Sequence, residues 1–561
     1  MAFLIGALCV APIVRVVARL VWVDGRFDAS PITDTLAVEG LGRLVFDTLA
    51  LVVASGLVAL AIGSLLAWAN ERTDARMGPL TDSLPLLPFL LPPVAGAIGW
   101  VLLLSPRAGF LNVWLRDLGA LIGIESGRSG PFDIFSWYGL VGVFAIYQIP
   151  FVFLMVSTGL RNIDSDLEEQ ARVCGANPLT TLRTVTLPAI RPSLGAAVLL
   201  MAWQGFAIFS LPAIIGGPAG IETVSVRMVH VLSFTYPPDT GVAVGLSAIL
   251  MLFVGGTWYL QTRALRSSRF ASVGGKGQHV VRRPLGRWRW PVRGGMILYV
   301  VVSSLLPIAA LLLVCLNGFW TANVDWGNLG LTAMRESVFD NAGTRRALVN
   351  SLRLGVIGAT IGMAVAALVA VVVTQSDSRI GRVVDAAIKM PASISNIVLA
   401  VGILLLFAAP PFGWSGTVVI LLLGYLVLYL PQGSVAADTA AAQVSGELTE
   451  ASSVAGAGRG RTFRRIQAPL MFPGLIAGWA LLFARMAGDL TASAILSGTR
   501  NPVVGFRLLE EFTNGSYADV AALATVLVAI TVVVIGGMLA WARRRSRWTG
   551  GTTPGLAGGS T

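Results

Sequence analysis

Apolar stretches of about twenty residues recur along the whole of this chain, and that recurrence constrains its fold more than any single motif. A hydrocarbon core about 30 Å thick takes roughly 20 residues of helix, and within it every backbone N–H and C=O must find its partner inside the chain. Helices are therefore the expected answer. Hydrophobic residues fill 55% and charged residues only 12% of the 561 positions, and the mean hydropathy is +0.76, which water-soluble globules of this size do not normally reach. The stretches predict spans at 2–23, 44–69, 84–104, 137–160, 194–215 and 241–262. A second set follows at 295–316, 347–373, 390–409, 415–436, 474–495 and 519–542. The expected fold class is an all-α polytopic membrane protein of about twelve transmembrane helices in two sets of six.

Orientation follows from the basic residues, because Lys and Arg are retained on the cytoplasmic side. They concentrate in 70–83, 161–192, 263–294, 374–389, 437–472 and beyond 542, which puts both termini inside. The segment 263–294 carries nine basic residues and no acidic one, interrupted by Gly274, Gly275, Gly277 and Pro284, and reads as a cytoplasmic linker. The expected order is a first half over 1–262 with a cytoplasmic loop at 161–192, then the linker. A second half over 295–542 with its loop at 437–472 and a cytoplasmic tail over 543–561 complete it. The net charge of +12 is accounted for by positive-inside retention and contact with anionic membrane lipid, with no nucleic-acid partner. The first span holds Arg15 and Arg19 and has no basic flank before it, which argues against a cleaved signal peptide and leaves open a start upstream of Met1.

The two halves echo each other. Asp47-Thr48-Leu49, Pro88 and Gly99 return 303 positions later as Asn350-Ser351-Leu352, Pro391 and Gly402. From Tyr147 and Pro150, matching Leu428 and Pro431, the offset is 281, so the first half has 22 extra residues, expected at 105–136 on the outer face. An even number of spans per half makes the repeat parallel, so both cytoplasmic loops face the same side. Those loops share one spacing: Glu169-Gln170-Ala171, Gly175 and Val185-Thr186-Leu187-Pro188, then Glu450-Ala451-Ser452, Gly456 and Ile466-Gln467-Ala468-Pro469. Ser165-Asp166-Leu167-Glu168 is a capping-box pattern that starts a short helix at Asp164 or Ser165. Gly175 is placed to end it in the left-handed conformation. Asn177-Pro178 opens a second short helix presenting Leu179, Leu182 and Arg183, with Phe463 at the Leu182 position of the other copy. Such an amphipathic helix fits a groove on a partner, and Pro188 and Pro469 are expected to help set the turn back into the membrane.

This spacing resembles the "EAA" cytoplasmic loop of ABC importer permeases, with Gln170, Ser452 and Ala468 departing from the usual residues. The resemblance implies a type I ABC importer transmembrane domain in the bacterial inner membrane. It further implies two copies of an ABC ATPase subunit received on the two loops and an extracytoplasmic solute-binding protein. Glu169, Ala171 and Gly175, with Glu450, Ala451 and Gly456, are then the ATPase-coupling residues, joined by the apolar knobs Leu182 and Phe463. Taken singly, each of these could be a solvated helix charge or an ordinary cap. ATP and Mg would be used by the partners alone: a Walker loop needs Gly-Lys-Ser/Thr, and the only lysines are Lys276 and Lys389, followed by Gly277 and Met390. Leu496-Ser497-Gly498-Thr499-Arg500 faintly resembles an ABC signature peptide but falls on the outer side of the expected topology. With two histidines, His230 and His279, and three scattered cysteines, Cys9, Cys174 and Cys315, no metal site, cofactor or catalytic residue is expected in this chain.

Arg485 and Asp489 lie four apart in the eleventh span, where they either line a translocation path or neutralise each other structurally. Arg353 is similar without an obvious partner, and Gln148, Gln204 and Asn396 either face a cavity or bond between helices. The fused double-length chain resembles the ferric-iron ABC importer permeases, on Leu211-Pro212-Ala213-Ile214-Ile215-Gly216-Gly217-Pro218, Tyr236-Pro237-Pro238-Asp239, Asp489-Leu490-Thr491-Ala492-Ser493 and the insertion after Gly109-Phe110-Leu111-Asn112. That resemblance implies ferric-iron import by alternating access; thiamine, phosphonate or polyamine remain alternative cargoes. An ion-coupled secondary transporter is the rival mechanism, and it would call for carboxylates in mid-membrane.

Overall fold

A computed structural model describes residues 2–548 except 24, 79–80, 82–83, 124–128, 164, 267–281, 322, 328, 376–378, 443 and 445. The expected helix start at Asp164, most of the linker with Lys276 and His279, and the end of the tail lie outside the described residues. The chain is helical almost throughout, with one two-residue-stranded hairpin, Trp22–Val23 against Arg26–Phe27.

Among the described residues nine helices are long and apolar enough to cross a membrane. They are Leu41–Arg72, Trp137–Arg161, Leu182–Ala207, Thr240–Leu260, Gly286–Asn317, Ala342–Val373, Val418–Ala442, Gly460–Ala487 and Tyr517–Met538. The sequence reading of twelve differs from this at three places. The first helix, Ala2–Arg19, contains Pro12 and stops at the arginine that charge had flagged. At 84–104 the chain makes a tight 3-10 turn over Leu84–Leu90 and then only twelve residues of helix, Pro93–Leu104, because two successive prolines hold the backbone extended between them. Twelve residues rise about 18 Å, short of the hydrocarbon thickness. At the matching place in the second half, Gly381–Ser393 and Asn396–Phe407 form a pair bent by 113° beside Pro391, a tenth span if counted as one.

Another difference concerns the fifth span of each half, which begins well before the apolar stretch. Pro178–Thr181, the five-residue π-helical turn Leu182–Thr186 and Leu187–Ala207 run on as one helical rod, and so do Arg459–Thr462, Phe463–Gln467 and Ala468–Ala487. Pro188 and Pro469 therefore sit inside the first turn of a membrane helix and make no turn of their own. The physical reason is the proline ring, which would strike the carbonyl four residues back in an α-helix. A wider π turn moves that carbonyl away, with the Leu187 N–H reaching the Leu182 carbonyl and Ala468 reaching Phe463.

The chain forms two compact units, one of 1–41, 225–251 and 311–561, the other of 42–224 and 252–310. In the second of these, Leu41–Arg72 packs on Trp137–Arg161 through Ala59, Leu66, Ile149, Val152 and Phe153, all buried. The helix that opens the second sequence half also lies there: Gly99 faces the backbone of Pro307 so closely that a Cβ would stand 2.7 Å from its carbonyl oxygen. In the other unit the relation is mirrored, since a Cβ on Gly402 would stand 2.5 Å from the carbonyl oxygen of Pro12. Each half thus lends its first helix to the unit built around the other half's short third helix. Neither obstacle is a flexible side chain. Gly402→Ala is therefore expected to cost about 2–3 kcal/mol by overpacking, whereas Gly537→Ala, where a Cβ meets nothing within 4 Å, should hold or gain slightly. Thermal melting of the two variants in detergent checks the contrast.

Candidate functional site

The two repeated loops adopt the same backbone. In the first, the helix Ser165–Val173 ends in a Schellman closure: Ala176 N–H donates to Ala171 C=O at 2.9 Å and Gly175 N–H to Arg172 C=O at 2.9 Å. In the second, Gly446–Val454 ends with Ala457 N–H on Ser452 C=O at 3.0 Å and Gly456 N–H on Ser453 C=O at 3.0 Å. Every one of these positions is displaced by 281. Gly175 and Gly456 are at φ +84° and +76°, the left-handed region that a Cβ disfavours, which is why the spacing needs glycine. Asn177 then caps the next turn, its side chain accepting from Thr180 N–H at 2.8 Å. Gly458 holds that place in the other copy without a side chain to cap with.

Glu169 and Glu450 are exposed, as are Gly175 and Gly456. Ala171 is half-buried, and its positional match is Ser452, whose buried hydroxyl lies 2.8 Å from that of Thr462. Ala451 is exposed. Leu182 and Phe463 each begin the π turn and are half-buried. The apolar side chains that stand out from the loops are others. Val173 and Val454 are both 88% exposed, and Leu167 and Leu448 are 49% and 45% exposed. These are again pairs 281 apart. Their signal in the sequence was a matched apolar residue on an otherwise polar short helix, in both copies.

The expected path residues divide between the two compact units. Gln148 is buried and donates from Nε2 to Ser55 Oγ at 3.2 Å, a bond between two membrane helices, and Gln204 is buried near the end of its helix. Asn396 begins the helix Asn396–Phe407 and Arg485 is half-buried in the last turn of Ala468–Ala487. Because that helix stops at Ala487, Asp489 is not on a helical face with Arg485. Asp489 is buried. Its Oδ1 accepts from Tyr429 Oη at 2.6 Å, and its Oδ2 from the N–H groups of Ala492 and Ser493 at 2.8 and 3.1 Å.

Residues 59–262, reaching from the helix Leu41–Arg72 through the first of these loops to the helix Thr240–Leu260, match the family described as binding-protein-dependent transport system inner membrane component. The chain is similar to permeases of the binding-protein-dependent type. The similarity to ferric permeases extends over most of the chain. The chain is 23% identical to the ferric transport system permease protein FbpB of Actinobacillus pleuropneumoniae, over 95% of this chain and 77% of that one. To a putative ferric transport system permease protein, FbpB 1, of Haemophilus influenzae it is 24% identical over 87% and 75%. A putative 2-aminoethylphosphonate transport system permease protein of Salmonella paratyphi A is 26% identical, over 44% of this chain and 94% of its own length.

One contact of the first loop was not expected from the capping-box spacing that Glu168 belongs to. Glu168, next to the motif glutamate, is buried, with Oε1 3.3 Å from Arg72 Nε and accepting from Thr186 Oγ1 at 2.8 Å. The short helix turns Glu169 toward the surface and Glu168 inward, a difference of about 100° per residue that two adjacent glutamates in a sequence do not disclose.

Proposed function

We propose that this permease imports ferric iron delivered by an extracytoplasmic binding protein, by alternating access driven by two separate ATPase subunits that dock on the loops 161–192 and 437–472. Both termini and both loops then face the cytoplasm, the arrangement that the basic residues favour. The observation that carries the cargo assignment is similarity to ferric permeases over 95% of the chain, both halves included. The 2-aminoethylphosphonate relative matches over 44% only. The duplicated loop backbone supports the ATPase assignment: two Schellman-closed helices, each offering an exposed valine beside an exposed glutamate, suit two identical grooves. Glu169 and Glu450 serve there as polar contacts, and Gly175 and Gly456 hold the turn.

Purified permease, reconstituted in liposomes with its ATPase and a ferric-binding protein, should accumulate labelled iron only when ATP is supplied on the loop side. Uptake of 2-aminoethylphosphonate with no iron uptake would replace the cargo and keep the machinery. Uptake driven by a proton or sodium gradient without any ATPase would overturn the reading.

A further inference from the structure

The first loop is anchored to the membrane helices through a buried ion pair. The buried Arg72 guanidinium ends the helix Leu41–Arg72 and reaches across its neighbours. Its Nη2 donates to Leu160 C=O at 2.9 Å and Ile163 C=O at 3.4 Å, at the end of the helix Trp137–Arg161 where a cation is favoured. Its Nε faces Glu168 on the short loop helix, and Glu168 is in turn bonded by Thr186 at the foot of Leu187–Ala207. One ion pair thus ties the loop helix to three membrane helices. Beside it Arg161 Nη2 meets Glu71 Oε1 at 2.7 Å, and Asn70 donates to the same oxygen at 3.0 Å. At the offsets that relate the halves, Asn70, Glu71, Arg72, Arg161 and Glu168 become Val373, Thr374, Gln375, Ala442 and Thr449, with no charge among them. In the second half Lys389 meets Asp385 on its own helix, Arg379–Lys389, at 2.7 Å and Asp438 on the membrane helix Val418–Ala442 at 2.6 Å.

We propose that Arg72 and Glu168 are positioning residues that fix the first loop to the membrane helices, so that ATPase closure on that loop is transmitted to them. The first loop moves with Leu41–Arg72 and Trp137–Arg161 as one body, because separating a buried ion pair strands a charge away from water. This rests on the reading that the loops receive the ATPase.

The test measures iron taken up and ATP hydrolysed together, in liposomes holding permease, ATPase and ferric-binding protein. Arg72→Gln and Glu168→Gln should each lower iron per ATP by about tenfold while the ATPase still co-purifies and hydrolyses ATP. Thr186→Val, which strands no charge and so folds even if the others do not, should lower the ratio about threefold. A merely structural pair would reduce the yield of folded protein and leave iron per ATP unchanged in what survives, and that result overturns the proposal. Wild-type permease that fails to retain the ATPase would overturn the docking reading and the latch together. Retained ATPase with an unaltered ratio in Glu168→Gln and Thr186→Val would overturn the latch alone.

Discussion

With Val173 and Val454 both changed to aspartate, the protein should purify without the ATPase subunits proposed to dock there, and ATP-dependent uptake should fall by at least about a hundredfold. Each valine is 88% exposed at the end of a short helix, immediately before the glycine closure, so neither supports the fold of this chain. Burying one such side chain in a partner's groove contributes about 1.5 kcal/mol or more. A carboxylate in its place brings a desolvation cost as well. The two altered loops together therefore lose more than about 2.7 kcal/mol, the equivalent of a hundredfold in affinity. The stability of the permease alone should move by less than about 0.5 kcal/mol, as surface changes usually do. Co-purification and detergent melting read the two quantities separately. Either single change should leave one loop competent and one ATPase subunit weakly held. A permease that keeps both subunits after the double change would move the docking surface away from these helix ends.

The glycine closures were legible because their constraint is local: a left-handed residue after a helix needs glycine, and the demand recurs 281 positions apart. The π turns were not, since Pro188 and Pro469 read as turn formers and instead sit in continuous helices whose carbonyls are displaced. Hydropathy was a sound guide to which stretches are apolar helices and a poor one to where they stop. It registers Leu84–Leu104 as one apolar stretch, while the prolines at 88, 92 and 93 divide it. Nor does hydropathy say which neighbour a helix chooses. The close approach of Gly402 to Pro12, and of Gly99 to Pro307, exchanges the first helices of the halves between the compact units. The glycines were visible as an echo 303 apart, yet their partners were not, since an apolar helix offers similar surfaces all round. The pairing of Glu168 was hidden for a different reason: its spacing assigns it to a capping box, and its partners Arg72 and Thr186 are distant in the chain.

Asp489→Ala is expected to cost about 3–6 kcal/mol and to leave little folded permease, because it strands three buried donors at once. Those donors are the Tyr429 hydroxyl and the N–H groups of Ala492 and Ser493. The carboxylate joins the helix Val418–Ala442 to the first turn of Thr491–Leu496, and Ser493 Oγ adds a bond back to the Asp489 carbonyl at 2.7 Å. Tyr429→Phe removes one bond and leaves Oδ1 without it, at a cost of about 1–3 kcal/mol. Asp489→Asn keeps a single carbonyl for donors that approach two oxygens, so it should fall between the two, on folded yield by gel filtration and on melting temperature. The same series separates an anchor from a residue that cargo touches. An anchor loses stability in the order Ala, Asn, then the tyrosine change, and uptake per folded molecule stays near wild type in whatever survives. A cargo contact would give the reverse: Asp489→Asn folded as well as wild type, with uptake lost. Both oxygens already have donors from within the protein, so the first pattern is the expected one.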